Sequence, residues 1–470
     1  LIVAGYFAAL MWIGWRERGA LRGPAGSVIL GGRALTLPAF IATLVTTWYG
    51  GILAVGEYSY SYGISNWIVF GLPYYAAAAV FALVMAKTAR RSQTLTIPER
   101  IHRSIGRRSS IIAAILVFIL SAPTSYLLGL AIMISFFFNI SVALAALISA
   151  VISLVYVMLG GFKAVVRTDK LQFVLMFGGF ALLFVILFLQ NGFWEFISTS
   201  VPETHLTWTG GASLWYIASW YVIAQGALVD PGFHQRCYAA KSESVAVRGI
   251  LISIAFWALF DFLTTACGLY ARALLPNLAD PALSFPALAL EVLPPVALGL
   301  FVTGMLSVMM STIDSNSFLA ATTFSYDFIL RLKKNSLPPD ENALRRWTII
   351  GLALSTALAL VFALVFDSIV EVWREFGSVG IPALLAPLLI AFFAKKPRNQ
   401  LSDSQGLVLI TLPALVSASW VLYRHLGPTG AYPFADYPFL SEPIFPGLYV
   451  SLALVVAIRI MRSSASRYKS

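Results

Sequence analysis

Charged side chains are scarce. Asp, Glu, Lys and Arg make up 11% of the 470 residues, against 59% hydrophobic residues, and the mean hydropathy is +0.83. Soluble chains carry about 25% charged residues, so the shortage excludes soluble, disordered and collagen-like chains. Cysteine is nearly missing: Cys237 in a basic loop and Cys267 in an apolar stretch cannot build a disulfide framework or a four-ligand zinc site. His102, His205, His234 and His425 are scattered, show no metal-ligand spacing and read as ordinary loop residues. There is no GxSxG elbow, no HExxH and no P-loop. An ATP-driven pump is thereby excluded on this chain, and no pattern supports an enzyme. The formal net charge is +11, which on a soluble protein would point to nucleic acid. Here its meaning depends on where the basic residues lie.

What the sequence has in abundance is long apolar runs. A membrane helix needs about 20 mostly apolar residues. Thirteen segments are expected: helix 0 (1–15), helix 1 (37–63), helix 2 (65–89), helix 3 (110–138), helix 4 (141–159), helix 5 (166–190), helix 6 (212–229), helix 7 (249–273), helix 8 (295–328), helix 9 (346–367), helix 10 (369–394), helix 11 (406–424) and helix 12 (444–462). Helix 0 begins at Leu1 in mid-hydrophobic segment, and no cleavable signal peptide is evident. With the N-terminus outside, the alternating loops collect the Lys and Arg on one side. These include Arg33, Arg90, Lys163, Arg236, Arg331, Lys333, Lys334, Lys395, Lys396, Arg398 and Lys469, while only Arg272, Arg374 and Arg424 of the 32 fall outside. The bias sets orientation and places the C-terminus in the cytoplasm. It gives no support for nucleic acid. The outer segment 191–211 holds Trp194, Glu195, Glu203 and Trp208 without Lys or Arg, as either an interfacial cap or an unstructured loop.

Two polar interruptions inside the spans attract attention, because polar groups in lipid are costly. Helix 1 contains Thr43-Leu44-Val45-Thr46-Thr47-Trp48-Tyr49-Gly50-Gly51. Paired glycines let a backbone leave helical geometry and offer carbonyls to a cation, or they let two helices pack closely. Helix 8 contains Ser311-Thr312-Ile313-Asp314-Ser315-Asn316-Ser317. Val308, Ser311, Thr312 and Ser315 share one helical face with Asp314 beside it. Hydroxyls and carbonyls are hard oxygen ligands suited to an alkali cation. Asp261 in helix 7 could pair with a neighbouring helix. Asp367, Glu371 and Glu375 lie near the outer ends of helices 9 and 10, and Glu57 closes helix 1.

Three motifs resemble the sodium:solute symporter family, the sugar, proline, sialic acid and pantothenate cotransporters. They are Gly31-Gly32-Arg33 before helix 1, the run from Gly160-Gly161-Phe162-Lys163 through Thr168-Asp169 to Gln172, and Met310-Ser311-Thr312 on helix 8, which ends at Tyr326-Asp327. Asp230-Pro231, Gln235-Arg236 and Ala239-Ala240-Lys241-Ser242 are similar to the segment after helix 6 of that family. The resemblance implies an all-α membrane fold with a five-plus-five inverted repeat and broken helices 1 and 6. The first repeat would span 37–190 and the second 212–394, with 1–36 as helix 0 and its loop and 395–470 as peripheral helices and tail.

It also implies Na⁺ as the coupling ion, held by the carbonyls of Leu44, Thr47 and Val308 and the hydroxyls of Ser311 and Thr312. A second cation site would use Asp169, Ser311, Asp314 and Ser315. Asp314 departs from the hydroxyl of two-sodium members and could strengthen a cation site or hold a proton. The solute pocket would lie between helices 1, 2, 3, 6, 7 and 10, with Trp48, Tyr49, Tyr74, Tyr126, Trp220, Gln225, Asp261 and Ser378 as candidates. Residues that recognise proline or galactose in the family are not reproduced around helix 6, so neither substrate is named. The expected function is Na⁺-coupled import of a small polar organic solute by a monomer or weak oligomer in a lipid bilayer. The alternative is a sensor's membrane input domain of the same fold. The glycosylation sequon Asn139-Ile140-Ser141 sits in a very short outer loop, which favours a bacterial inner membrane.

Overall fold

The computed structural model describes residues 1–19, 21–332, 340–366, 368–394, 400–427, 433 and 437–467. Lys333, Lys334, Asp367, Lys395, Lys396, Arg398 and Lys469 lie outside the described residues. Within them the chain is helical, and its one bridge-type pairing joins Leu35 to Ala240. Among the described residues, nine helices are long and apolar enough to cross a membrane. A tenth span is the bent pair Leu37–Trp48 and Ile52–Tyr62, which change direction by 59°. Length and composition therefore support ten of the thirteen expected spans among the described residues.

The other three segments are helical but irregular. Helix 0 is Ile2–Arg16, only 15 residues long. Helices 4 and 5 run together as Val142–Asn191 and turn at Gly161, whose φ of 55° and ψ of −168° suit glycine. Helix 6 is broken, as the resemblance implies, but it runs past the expected 212–229. It is helical over Leu214–Ile223, tightens to a 3₁₀ turn at Ala224–Leu228, and restarts as Pro231–Ala239. Asp230 caps the restart, accepting the Phe233 N–H at 2.8 Å, and Pro231 needs no donor there. Residues 231–239 are thus a second half-helix. His234 and Cys237 belong to its buried interior, not to a loop, because their side chains face packed helices.

Helix 3 is also interrupted. Arg107–Leu120 and Thr124–Phe138 are separated by Ser121, Ala122 and Pro123, where proline removes a backbone donor. Of the segment 191–211, Trp194–Ser200 is α-helical and Glu203–Leu206 is 3₁₀. His205 is buried there and its Nε2 lies 2.9 Å from the Tyr60 carbonyl.

At the arginine-rich end, the segment before helix 1 is tied to the second half of helix 6. Leu35 donates to Ala239 O at 3.0 Å and Lys241 donates to Leu35 O at 2.9 Å. Arg33 adds bonds to the carbonyls of Tyr238 and Thr94, and Arg90 adds one to Ala240 O at 2.6 Å.

Helices 5 and 8 meet backbone to backbone in the middle. A Cβ on Gly304 would lie 2.7 Å from Leu175 O and 3.3 Å from Gly179 Cα. Small residues permit that approach, which lipid-embedded helices use in place of a hydrophobic drive. Gly304→Val should push helix 8 away from helix 5 and lower stability by about 1–3 kcal/mol. The thermal unfolding midpoint in detergent measures this; an unchanged midpoint would contradict the close packing.

Candidate cation and solute site

Helix 1 ends its first half at Trp48, and Tyr49, Gly50 and Gly51 form the break before Ile52. Carbonyls in the last turn of a helix have no helical donor ahead of them. Helix 8 answers them with one hydroxyl. Thr312 Oγ1 lies 3.1 Å from Thr47 O, 3.4 Å from Thr46 O and 3.2 Å from its own Val308 O. Four oxygens therefore converge, three of them carbonyls; Thr46, Val308 and Thr312 are fully buried and Thr47 is half-buried at the edge of a cavity. Neutral hard oxygens suit a monovalent cation. Leu44 sits one turn earlier in the helix and lines the adjoining cavity. Thr46 takes part in the cluster although it was not expected there.

Glycine is required at the break by contact. A Cβ on Gly50 would meet Thr312 Cβ at 2.4 Å and Tyr126 Cδ1 at 2.6 Å. A Cβ on Gly51 would strike the Trp373 indole at 1.9 Å. Both readings of the glycine pair hold at once: the backbone is broken and the neighbours pack directly on it.

Behind this cluster lies Asp169 of helix 5, fully buried. It accepts from Thr43, and from Ser311 Oγ at 2.7 Å. Arg236 reaches the same place from the second half of helix 6. Its Nη2 donates to Thr47 and Ser315 at 2.8 Å each and to Thr43 at 3.2 Å. Arg236 was expected in an inner loop; instead it is fully buried, because the restart at Pro231 carries it into the core. Asp314 and Ser315 are buried on helix 8. Ser311 and Thr312 thus divide their work: Ser311 holds Asp169, and Thr312 faces the helix 1 carbonyls.

Next to the break is a cavity of about 270 Å³. Trp48, Tyr49, Tyr74, Tyr126 and Asp261 line it, as do Asp230, Arg236, Asn316 and Trp373, which sequence reasoning missed. Trp48 makes edge contacts with Tyr74 at 5.2 Å and Phe233 at 5.5 Å between ring centroids. Asp261 accepts a hydrogen bond from Tyr75 of helix 2. Three candidates are not among the lining residues. Trp220 is buried against Phe70, Gln225 turns back to Tyr221 O at 3.3 Å, and Ser378 is buried within helix 10. The Asp-Pro step at 230–231 was the available signal for Arg236, since it marks a helix start. A separate group, Glu371, Glu375 and His425, comes together near the ends of helices 10 and 11, where Arg424 pairs with Glu371 at 2.7 Å and Glu375 at 2.9 Å. Gly50→Ala should force Thr312 away from helix 1 and raise the half-saturating Na⁺ concentration about tenfold or more. Na⁺-dependent thermal stabilisation measures it, and an unchanged midpoint concentration would contradict the geometry.

The family model of the sodium:solute symporter family matches residues 28–400. A sodium/pantothenate symporter of Haemophilus influenzae is 27% identical over 368 residues, covering 75% of each chain. The rabbit (Oryctolagus cuniculus) sodium/glucose cotransporter 1 is 24% identical over 479 residues, 87% of this chain and 70% of that one. Among solved structures, a Na⁺-coupled sialic acid symporter in a substrate-bound outward-open state superposes with a TM-score of 0.76 at 19% identity, over 98% of this chain and 97% of that one. A nucleobase-cation-symport-1 family transporter gives 0.55 at 14% identity, over 96% and 95%. The protein is a transporter and not an enzyme, and Na⁺ is its coupling ion. The chain belongs to the sodium:solute symporter family, multi-pass membrane proteins that couple Na⁺ to the movement of small solutes by alternating access.

Proposed function

We propose that this chain imports a small polar organic solute together with one Na⁺ ion across a bacterial inner membrane, with its N-terminus outside and its C-terminus in the cytoplasm. The ion sits between the helix 1 break and helix 8, on the carbonyls of Leu44, Thr47 and Val308 and the hydroxyls of Ser311 and Thr312. Thr46 O is available as a further ligand. The observation that carries this reading is Thr312 Oγ1 within 3.1 Å of Thr47 O and 3.2 Å of Val308 O, across two different helices. Without a charged ligand in that shell, the ion is held reversibly, as a transport cycle requires. The solute occupies the cavity beside it. Because both ligands bear on helix 1, their affinities must be coupled reciprocally.

The second cation site, at Asp169, Asp314 and Ser315, is read here as filled by the protein itself. Arg236 donates to Ser315 at 2.8 Å and shares Thr43 with Asp169. A tethered guanidinium there takes the place of a second Na⁺. Residues 37–190 and 212–394 are read as the two inverted repeats. The half-helix break in helix 6 supports this, since it answers the break in helix 1. The pinned arginine-rich end is the cytoplasmic gate in this orientation, and the working unit is a monomer or weak oligomer.

Thr312→Ala should raise the half-saturating Na⁺ concentration at least about tenfold, in purified protein followed by thermal unfolding. Equal stabilisation by K⁺, or no change in the variant, would overturn the site. A Na⁺ titration of the unmodified protein should be hyperbolic. In Arg236→Gln the titration should turn sigmoidal as a second ion enters; a sigmoidal curve in the unmodified protein would contradict the one-ion reading.

A further inference from the structure

Many basic residues of the arginine-rich end are used by the protein itself. Arg33 and Arg90 bond to carbonyls of other segments, and Arg107 bonds to Arg331 O. Arg103 and Arg331 pair with Glu99 and Asp327. A different group lies where helix 0 meets helix 5. Arg16, Arg18, Arg22, Lys163 and Lys170 are exposed there, and among the described residues no carboxylate pairs with them.

Two contacts hold the helix 0 end and the start of helix 5 together. Glu17, between Arg16 and Arg18, forms an ion pair with Arg167 of helix 5. The segment that leads to helix 1 closes on Lys163, where a Cβ on Gly31 would lie 3.5 Å from Lys163 Cγ. Acidic residues do not balance the cluster. Glu17 is the only one in 1–36, and Arg167 occupies it. Asp169 is the only one in 161–175, and it is fully buried against Thr43 and Ser311.

The surroundings place these charges at the depth of lipid headgroups. Lys163, Arg167 and Lys170 share one face of helix 5. That face continues through Val174 and Val185, which are 65% and 49% exposed. An exposed apolar stripe on a membrane helix meets acyl chains, so its basic end meets the headgroups. On helix 0, Trp12 and Trp15 are exposed, as tryptophans at a membrane interface are. The Arg16 guanidinium lies 5.4 Å from the Trp12 ring centroid, and that of Arg18 lies 4.4 Å from Trp15. Guanidinium and ammonium groups donate several hydrogen bonds to phosphate oxygens. A basic cluster beside a membrane helix attracts anionic lipid. A zwitterionic headgroup carries its own positive charge and lacks that net attraction.

We propose that the notch between helices 0 and 5 binds the headgroup of an anionic phospholipid, with Arg16, Arg18, Lys163 and Lys170 around its phosphate. The proposal depends neither on the solute nor on the number of ions. It needs only that the chain lies in a bilayer.

The test titrates the purified full chain in detergent with phosphatidylglycerol, phosphatidylcholine or inorganic phosphate. Thermal unfolding reads stabilisation, and native mass spectrometry counts bound lipid. Phosphatidylglycerol should stabilise the chain and stay bound; the other two should do neither. Combining Arg18→Gln, Lys163→Gln and Lys170→Gln should weaken that binding at least about tenfold. Lys163→Arg with Lys170→Arg should retain it, and gel filtration checks that the variants are folded. Arg345→Gln with Arg346→Gln removes exposed charge near the start of helix 9, close to Asp340 and Glu341, and should leave the binding unchanged. Equal stabilisation by phosphatidylcholine, or stabilisation by inorganic phosphate, would overturn the proposal. So would unchanged phosphatidylglycerol binding in the triple variant, or equal weakening in both sets of Gln variants.

Discussion

A membrane-spanning helix satisfies its own backbone because lipid offers no partners. Helix 1 gives up that satisfaction at Trp48, and the functional core is arranged around the consequence. The carbonyls of Thr46 and Thr47 must find other partners, and Thr312 of helix 8 supplies one. Its approach is possible only because Gly50 carries no side chain. Helix 8 in turn is held against helix 5 through Gly304 and Gly179, where two backbones touch. A local backbone break thus dictates a small residue beside it, a hydroxyl opposite it and a tight helix pair behind that hydroxyl. A cation at the break would complete a cluster of oxygens that the fold has already assembled.

The buried charges follow from the same arrangement. Asp169 stands one helix behind the break, linked to it through Thr43 and Ser311. Arg236 arrives from the second broken helix and bonds to Thr43, which it shares with Asp169, and to Thr47. The two interruptions therefore meet through a hydrogen-bonded core of hydroxyls, one carboxylate and one guanidinium. This ties the restart of helix 6 to the break of helix 1, and the Leu35–Ala240 bridge ties the same two segments again at the arginine-rich end. A movement that opens that end must pull on both sets of contacts.

The break in helix 1 was legible because paired glycines in an apolar run allow either a break or close packing, and the family resemblance pointed to the break. The polar run on helix 8 was legible for a similar reason: hydroxyls and a carboxylate in lipid need a purpose. The break in helix 6 was legible only through the family resemblance, and the extent of its second half was not legible. Residues 231–239 are polar enough to read as a loop, and hydropathy cannot distinguish a buried polar half-helix from a solvated one. Arg236 was consequently assigned to the basic inner loops with its neighbours. The thirteen segments also reflect what hydropathy measures: helices 4 and 5 are two helices that meet at a kink at Gly161, and helix 0 is short. The solute wall was half legible. Trp48, Tyr49, Tyr74, Tyr126 and Asp261 come together, but the facing direction of Trp220, Gln225 and Ser378 depends on tertiary packing that no single-helix pattern records.

The central claim is that a sodium ion bridges the helix 1 break and helix 8. A ligand shifts a conformational equilibrium only by binding one state better than another. An ion that joins two helices should therefore suppress local opening of both. Hydrogen–deuterium exchange read at residues 46–52 and 308–315, in Na⁺ and in K⁺ at equal ionic strength, observes this directly. Slower exchange in both segments, in Na⁺ alone, is the expected result. Equal exchange in the two ions, or protection confined to other parts of the chain, would contradict the account.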